Sequence, residues 1–126
     1  MELWSNAINW FEIPVSDFDR AVKFYSAIFD YEMPVNPMGP NMMGFFLHEQ
    51  GKGIGGSIVS GPGYEPSSSG SKVYLNGGND LSMVLDRVAD NGGSVIVAKT
   101  EISPDIGFFA IFEDTEGNHV ALHSMA

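Results

Sequence analysis

Apolar residues recur at helical spacing in two segments of the chain. In the first segment they form one stripe of a helix: Phe18, Ala21, Val22, Tyr25, Ile28 and Phe29. Ser16 or Asp17 precedes this stripe as a candidate N-cap. In the second segment four residues repeat the spacing: Leu81, Val84, Leu85 and Val88. Asp80 is its candidate N-cap, and Gly92-Gly93 is expected to end the helix because glycine accepts left-handed backbone geometry.

Segments typical of β-strands stand before and after each helix. Residues 7–15 alternate in polarity before the first helix. Phe11 and Ile13 fall on one face of this strand, while Trp10 and Glu12 fall on the opposite face. The other predicted strands cover residues 32–35, 42–49 and 54–59 after the first helix, 72–76 before the second, and 94–98, 108–113 and 119–123 after it.

The order strand, helix, strand, strand, strand therefore occurs twice. The two predicted modules, residues 1–60 and 72–126, are joined by residues 61–71, a stretch rich in glycine, proline and serine that has no apolar pattern. Neither module can bury its sheet alone, so the two are expected to pack into one α+β domain covering residues 1–126. Helices would cover one face of each sheet and leave the other free to line a cavity.

Composition narrows the possible partners. With 16 acidic and 6 basic residues, the formal charge of −10 argues against nucleic acid and mildly favours a cationic ligand. No apolar run is long enough to cross a bilayer, so no membrane association is expected. The chain has no cysteine, and its first residues lack the pattern of an export signal, so we expect a cytoplasmic protein without disulfides.

Paired motifs resemble those of the vicinal oxygen chelate superfamily, which includes glyoxalase I, bleomycin-resistance proteins and extradiol dioxygenases. The matching stretches are residues 10–29 in the first half and 73–75, 92–93, 99–100 and 112–118 in the second. The chain is most similar to the uncharacterised, glyoxalase-like small proteins of that superfamily. The resemblance implies two βαβββ modules whose sheets form a cup, commonly completed by a second subunit, and hence a homodimer.

Metal-dependent members of the superfamily bind a divalent ion through histidine, glutamate or glutamine at four strand positions. Carried onto this chain, the first position holds Trp10 and the fourth Ala121, while the third falls on Val73 or on Lys72. The second lies within residues 53–60, which contain no histidine, glutamate, aspartate or glutamine. None of these residues suits a hard or borderline cation. The resemblance therefore predicts neither a metal nor another cofactor.

A few other residues are candidates for the inner face of the cup. Glu12 shares a strand face with Trp10 and is a candidate acid or base, the alternative being a solvated carboxylate at the sheet rim. His119 and His123 share a face with Ala121, but residues four apart in a strand stand roughly 13 Å from each other and cannot bind one ion together. Ala121 leaves space between them.

We therefore expect a metal-independent protein that binds a small organic molecule. Trp10 would provide a stacking surface, Glu12 and His123 would orient polar groups, and His119, Ala121 and Val73 would complete the ligand contacts. The alternative is an enzyme, either a metal-dependent lyase or isomerase of the glyoxalase I type or a dioxygenase, using Glu12, His123 and further groups. A third hypothesis is that the chain is a degenerate module that serves as a subunit or regulatory partner of another protein.

Overall fold

The computed structural model describes residues 3–126 and contains two modules, each with a four-stranded sheet. The first module comprises β1 (Phe11–Pro14), α1 (Phe18–Ile28), β2 (Val35–Met38), β3 (Asn41–Phe45) and β4 (Gly56–Ser60). The second comprises β5 (Tyr74–Asn76), α2 (Ser82–Leu85), a 3₁₀ turn (Ala89–Asn91), β6 (Ser94–Ser103), β7 (Gly107–Glu113) and β8 (His119–Ser124). No helix among residues 3–126 is long and apolar enough to cross a bilayer.

The two sheets have the same topology, so the α+β prediction with two βαβββ modules is confirmed. Their strand orders are β1-β4-β3-β2 and β5-β8-β7-β6. In each sheet the first and last strands of the module pair in parallel, with Ile13 opposite Ile58 in one and Leu75 opposite Leu122 in the other. All four of these side chains are buried in one core that draws on both modules. Alternation then turns their strand neighbours to the opposite face of each sheet.

Helix α1 follows the predicted pattern closely. Asp17 caps it by accepting a hydrogen bond from the Arg20 N–H at 3.1 Å. Ala21, Tyr25 and Ile28 are fully buried, as the apolar stripe requires. The helix thus places Tyr25 at the centre of the molecule.

The predicted second helix is broken into two short pieces. Only Ser82–Leu85 is α-helical, because the following N–H groups of Arg87 and Val88 bond three residues back, to Val84 and Leu85. The predicted N-cap is wrong by one residue, because Leu81 takes that position, although Asp80 accepts a hydrogen bond from the Ser82 N–H at 2.9 Å. Gly92 ends the segment at a φ of 97°.

The strand predicted over residues 7–15 is shorter than expected. Pairing with β4 begins only where Phe11 lies opposite Gly56, so residues 7–10 have no strand to bond. Trp10 therefore precedes β1 instead of lying within it. The segments predicted at 32–35 and 42–49 are likewise shifted, to β2 and β3.

A buried carboxylate joins the two modules. Asp114 is 3% exposed and lies in the turn between β7 and β8. Its Oδ2 accepts a hydrogen bond from the Tyr25 hydroxyl at 2.7 Å, and its Oδ1 accepts the N–H groups of Glu116 and Asn118. Asn118 in turn donates to the carbonyl oxygen of Pro14 in β1 at 2.7 Å. We call these contacts the Asp114 network.

Glu116 extends this connection to the start of α1. Its carboxylate accepts hydrogen bonds from the N–H groups of Ser16 and Asp17 and from the Arg20 guanidinium at 2.8 Å. Burial by itself would raise the pKa of Glu116. The hydrogen bonds that it accepts from Arg20, the Asp17 N–H and Thr115 outweigh burial, so its pKa lies below the ordinary value.

Replacing Tyr25 with phenylalanine tests the Asp114 network. Tyr25→Phe removes a buried donor to a carboxylate, so we expect the free energy of unfolding to fall by about 1–3 kcal/mol. Urea denaturation measures this loss. Tyr64→Phe, which removes an exposed hydroxyl, is the matched control and should change the same quantity by no more than about 0.5 kcal/mol. Equal effects of the two substitutions would contradict this role of Asp114.

Candidate functional site

The face of each sheet that is turned away from the helices, here called the distal face, carries most of the predicted site residues. In the first module Glu12 lies on this face, because its neighbours Phe11 and Ile13 pack toward the core. In the second module His119 and His123 lie there, because Val120 and Leu122 are buried in the core. The predicted orientation of these residues is therefore confirmed by the packing around them.

Trp10 forms an aromatic surface next to the first distal face. Its indole is 41% exposed and meets the ring of Phe45 edge to face, with centroids 6.2 Å apart. The imidazole of His48 occupies the space where a side chain at Gly55 would begin, and a Cβ there would also lie 3.2 Å from the indole. Phe45 thus supports Trp10, and the absence of a side chain at Gly55 leaves room for both the indole and the His48 imidazole.

Glu12 is held by a residue of the segment that joins the two modules, residues 61–71, here called the connector. The Tyr64 hydroxyl donates a hydrogen bond to Oε1 of Glu12 at 3.0 Å. This hydrogen bond, together with partial desolvation and the charge of Glu12, raises the pKa of Tyr64. The carboxylate is exposed, so it can accept a further hydrogen bond or pair with a cation.

Ser57 lies opposite Glu12 in the parallel pair of β1 and β4. Its side chain is fully buried, and its hydroxyl has no hydrogen-bond partner among residues 3–126. A buried hydroxyl without a partner costs about 1–3 kcal/mol. Ser57 lines neither of the cavities that Glu12, His119 and His123 line, so it is a buried polar group next to the site. The sequence analysis missed it, although its alternation with Ile58 would have placed it beside Glu12.

The two histidines have separate partners. His119 Nε2 lies 3.1 Å from Oε1 of Glu113 on the neighbouring strand, and His123 Nε2 contacts the carbonyl oxygen of Ile106. Between them, Ala121 is fully buried, with Ile111 and Tyr74 beside it in the adjoining strands. A ligand on this face would meet the histidine rings rather than Ala121 itself.

The boundary between the modules, where residues of β1 line common cavities with residues of β5 or β8, is here called the seam. One end of the seam holds a cavity of about 220 Å³ that brings together Glu12, His119 and Val73 with Glu65 of the connector. Val73 also packs against the core, so only part of its side chain faces this cavity. His123 lines a different cavity of about 580 Å³, with Tyr74 and Asn76. The structure thus groups Glu12 with His119 and separates both from His123.

The donor set does not suit a divalent metal. The residues of β4 and β5 that pair with Glu12 and Ala121 are Ser57 and Tyr74, neither of which is a usual ligand for the divalent metals of the vicinal oxygen chelate superfamily. Within the described range, 3–126, no three histidine, aspartate or glutamate side chains are close enough to hold one ion.

Comparison with known proteins shows which family this chain belongs to. Residues 7–122 match the Glyoxalase/Bleomycin resistance protein/Dioxygenase superfamily. The chain belongs to this superfamily. It is 32% identical over 117 residues to a glyoxylase-like domain-containing protein from Didymella fabae, and the match covers 91% of each chain.

Solved structures of the superfamily share the fold. A mutant of glyoxalase I from Zea mays superposes with a TM-score of 0.71 at 14% identity, covering 94% of this chain but only 45% of that one. TnmS3, an antibiotic-binding protein from Streptomyces sp. CB03234, superposes with a TM-score of 0.70 at 20% identity over 99% of this chain and all of its own. At these identities the likeness extends to the fold and not to the chemistry.

The hydrogen bond between Tyr64 and Glu12 can be tested by titration. Ionising Tyr64 would break this bond and place two negative charges side by side, so its pKa should lie above 10.0. We expect Glu12→Gln to lower that pKa toward the ordinary value. The chemical shift of the labelled Tyr64 Cζ, followed by NMR between pH 8 and 12, measures it. An unchanged Tyr64 titration in the Glu12→Gln variant would contradict this contact.

Proposed function

We propose that this protein binds a small planar organic molecule on its distal faces without a resident metal. The observation that carries the proposal is the half-exposed indole of Trp10, which is held by Phe45 and stands beside Glu12. A large aromatic ring in a fixed position offers contact area to a planar ligand at little entropic cost. The fold shared with TnmS3, which is described as an antibiotic-binding protein, is consistent with this use.

The polar groups near Trp10 favour a ligand with a positive charge. Glu12 carries an exposed carboxylate whose orientation is set by Tyr64, and the formal charge of the chain is −10. A negative field raises the rate at which a cation arrives, while a carboxylate next to the ring gives it an ionic partner. An anionic ligand would meet repulsion at the same place.

We also propose that a second copy of the chain completes the site. Trp10 lines neither the cavity of Glu12 and His119 nor that of His123, so one chain leaves its distal faces open. Apolar side chains beside His123 are exposed as well, among them Ile102 at 43% and Ile106 at 54%. A homodimer would cover such surface and bring the distal faces of two modules together.

The enzymatic alternative requires donors to converge on one ion. Glu12 and His123, the two groups it would rely on, line separate cavities within one chain. A metal-dependent lyase, isomerase or dioxygenase would thus need ligands contributed across a subunit boundary. Elemental analysis distinguishes the two functions, since the enzyme should carry one divalent ion per chain.

Substitution of Trp10 tests the binding function. We expect Trp10→Ala to weaken binding of proflavine, a planar aromatic cation, by about tenfold because the stacking surface is lost. Isothermal titration calorimetry measures the dissociation constant. Trp4→Ala removes another exposed indole, 80% accessible and outside the site, and should leave that constant unchanged.

Two results would overturn the proposal. The first is equal binding of proflavine by the protein and by its Trp10→Ala variant. The second is one divalent ion per purified chain that is lost on replacing Glu12 or His123. A cooperative thermal transition in each variant ensures that the comparison is made between folded proteins.

A further inference from the structure

An apolar cavity lies at the other end of the seam, on the core side of β1. Its volume is about 310 Å³. Residues from both modules line it, chiefly Phe11, Phe29, Phe46, Leu47, Ile54 and Tyr74. We call it the aromatic cavity. Phe11 faces it, whereas Glu12 is turned to the distal face, so β1 separates this cavity from Glu12.

Ring packing holds the walls of the aromatic cavity. Phe46 meets Phe11 with centroids 5.5 Å apart and meets Phe29 edge to face at 6.1 Å. The ring of Phe11 occupies the space where a side chain at Gly56 would begin, so only glycine allows this ring position. The ring of Phe46 also packs on the buried ring of Tyr25, with centroids 5.2 Å apart, so the inner wall of the cavity is continuous with the core. The cavity is therefore preformed on this side.

The side chains that line the aromatic cavity disfavour a charged ligand. No charged side chain of the described chain lines the aromatic cavity, so an ionised ligand would lose its hydration without gaining a partner. The Tyr31 hydroxyl is already used, because it donates to the carbonyl oxygen of Phe45 at 3.0 Å. Asn76 at the wall accepts the Gly78 N–H through Oδ1 at 2.9 Å, which leaves its NH₂ group as a donor. A neutral ligand with one hydrogen-bond acceptor matches these groups.

The volume of the aromatic cavity limits the size of the ligand. A cavity of about 150 Å³ lined by apolar side chains holds one benzene molecule. The aromatic cavity is about twice that size, which suits two fused rings. At its mouth, Leu47 and Tyr74 are 67% and 56% exposed, so a bound molecule would remove their apolar surface from water.

We propose that the aromatic cavity binds a neutral aromatic molecule of about two fused rings that carries a hydrogen-bond acceptor. Ring contacts with Phe11, Phe46 and Tyr74 supply the attraction, and the Asn76 NH₂ group orients the acceptor. Because both modules contribute walls, binding stabilises their docking. This site takes an uncharged ligand instead of a cation and lies on the other side of β1 from Glu12, although Tyr74 and Asn76 also line the cavity of His123.

Prodan tests the proposal, since it is an uncharged naphthalene with a ketone acceptor whose fluorescence moves to the blue in apolar surroundings. We expect saturable binding of one prodan per chain. Leu47→Glu, which places a carboxylate at the mouth, should weaken it about tenfold or more. Met83→Glu is the matched control, because Met83 is 63% exposed on α2 and does not line the cavity. Its dissociation constant should equal that of the unmodified protein.

A second variant and an NMR map keep the test decisive if Leu47→Glu fails to fold. Tyr74→Ala removes one exposed wall and should also weaken prodan binding. In ¹⁵N spectra, prodan should shift the amides of Phe46, Leu47 and Asn76. The proposal is overturned by a lack of saturable binding, by equal losses in the Leu47→Glu and Met83→Glu variants, or by shifts confined to the distal-face residues Trp10 and Glu12.

Discussion

The docking of the two modules depends on one buried carboxylate. Asp114 connects α1 through the Tyr25 hydroxyl, its own turn through two N–H groups, and β1 through Asn118. A carboxylate at 3% exposure is tolerated only because these donors replace water around it. Since Phe24 and Tyr25 pack on Phe112 in the same region, the polar contacts fix where the apolar surfaces meet. Both cavities of the seam exist because the modules dock in this arrangement.

The seam and the alternation of β1 together separate two kinds of surface. Phe11 faces a cavity with ring walls that no charged side chain among residues 3–126 lines, whereas Glu12 faces a cavity that also holds His119 and Glu65. Because alternate side chains of a strand point to opposite faces, β1 contributes Phe11 to one cavity and Glu12 to the other. Superfamily membership supplies the scaffold, but the side chains on these two faces decide which ligands it can hold.

Much of the fold could be predicted from local patterns. The apolar stripe located α1 to within one residue of its end, and alternation oriented Glu12 and His123 correctly, because burial of one face enforces both periodicities. Features that depend on distant partners were missed. Pairing with β4 sets the start of β1, and Tyr64 reaches Glu12 from a connector without any pattern. The aromatic cavity could not be foreseen either, since its walls come together only when the modules dock.

Comparing the unfolding of the two modules tests whether they fold as one docked unit. Trp10 fluorescence, recorded in a Trp4→Phe background, reports on the first module, while the imidazole NMR signals of His119 and His123 report on the second. One core and one Asp114 network joining both modules predict that the two probes give the same midpoint in urea. Two separate midpoints would show that the modules fold independently and would contradict the docked seam on which both cavities depend.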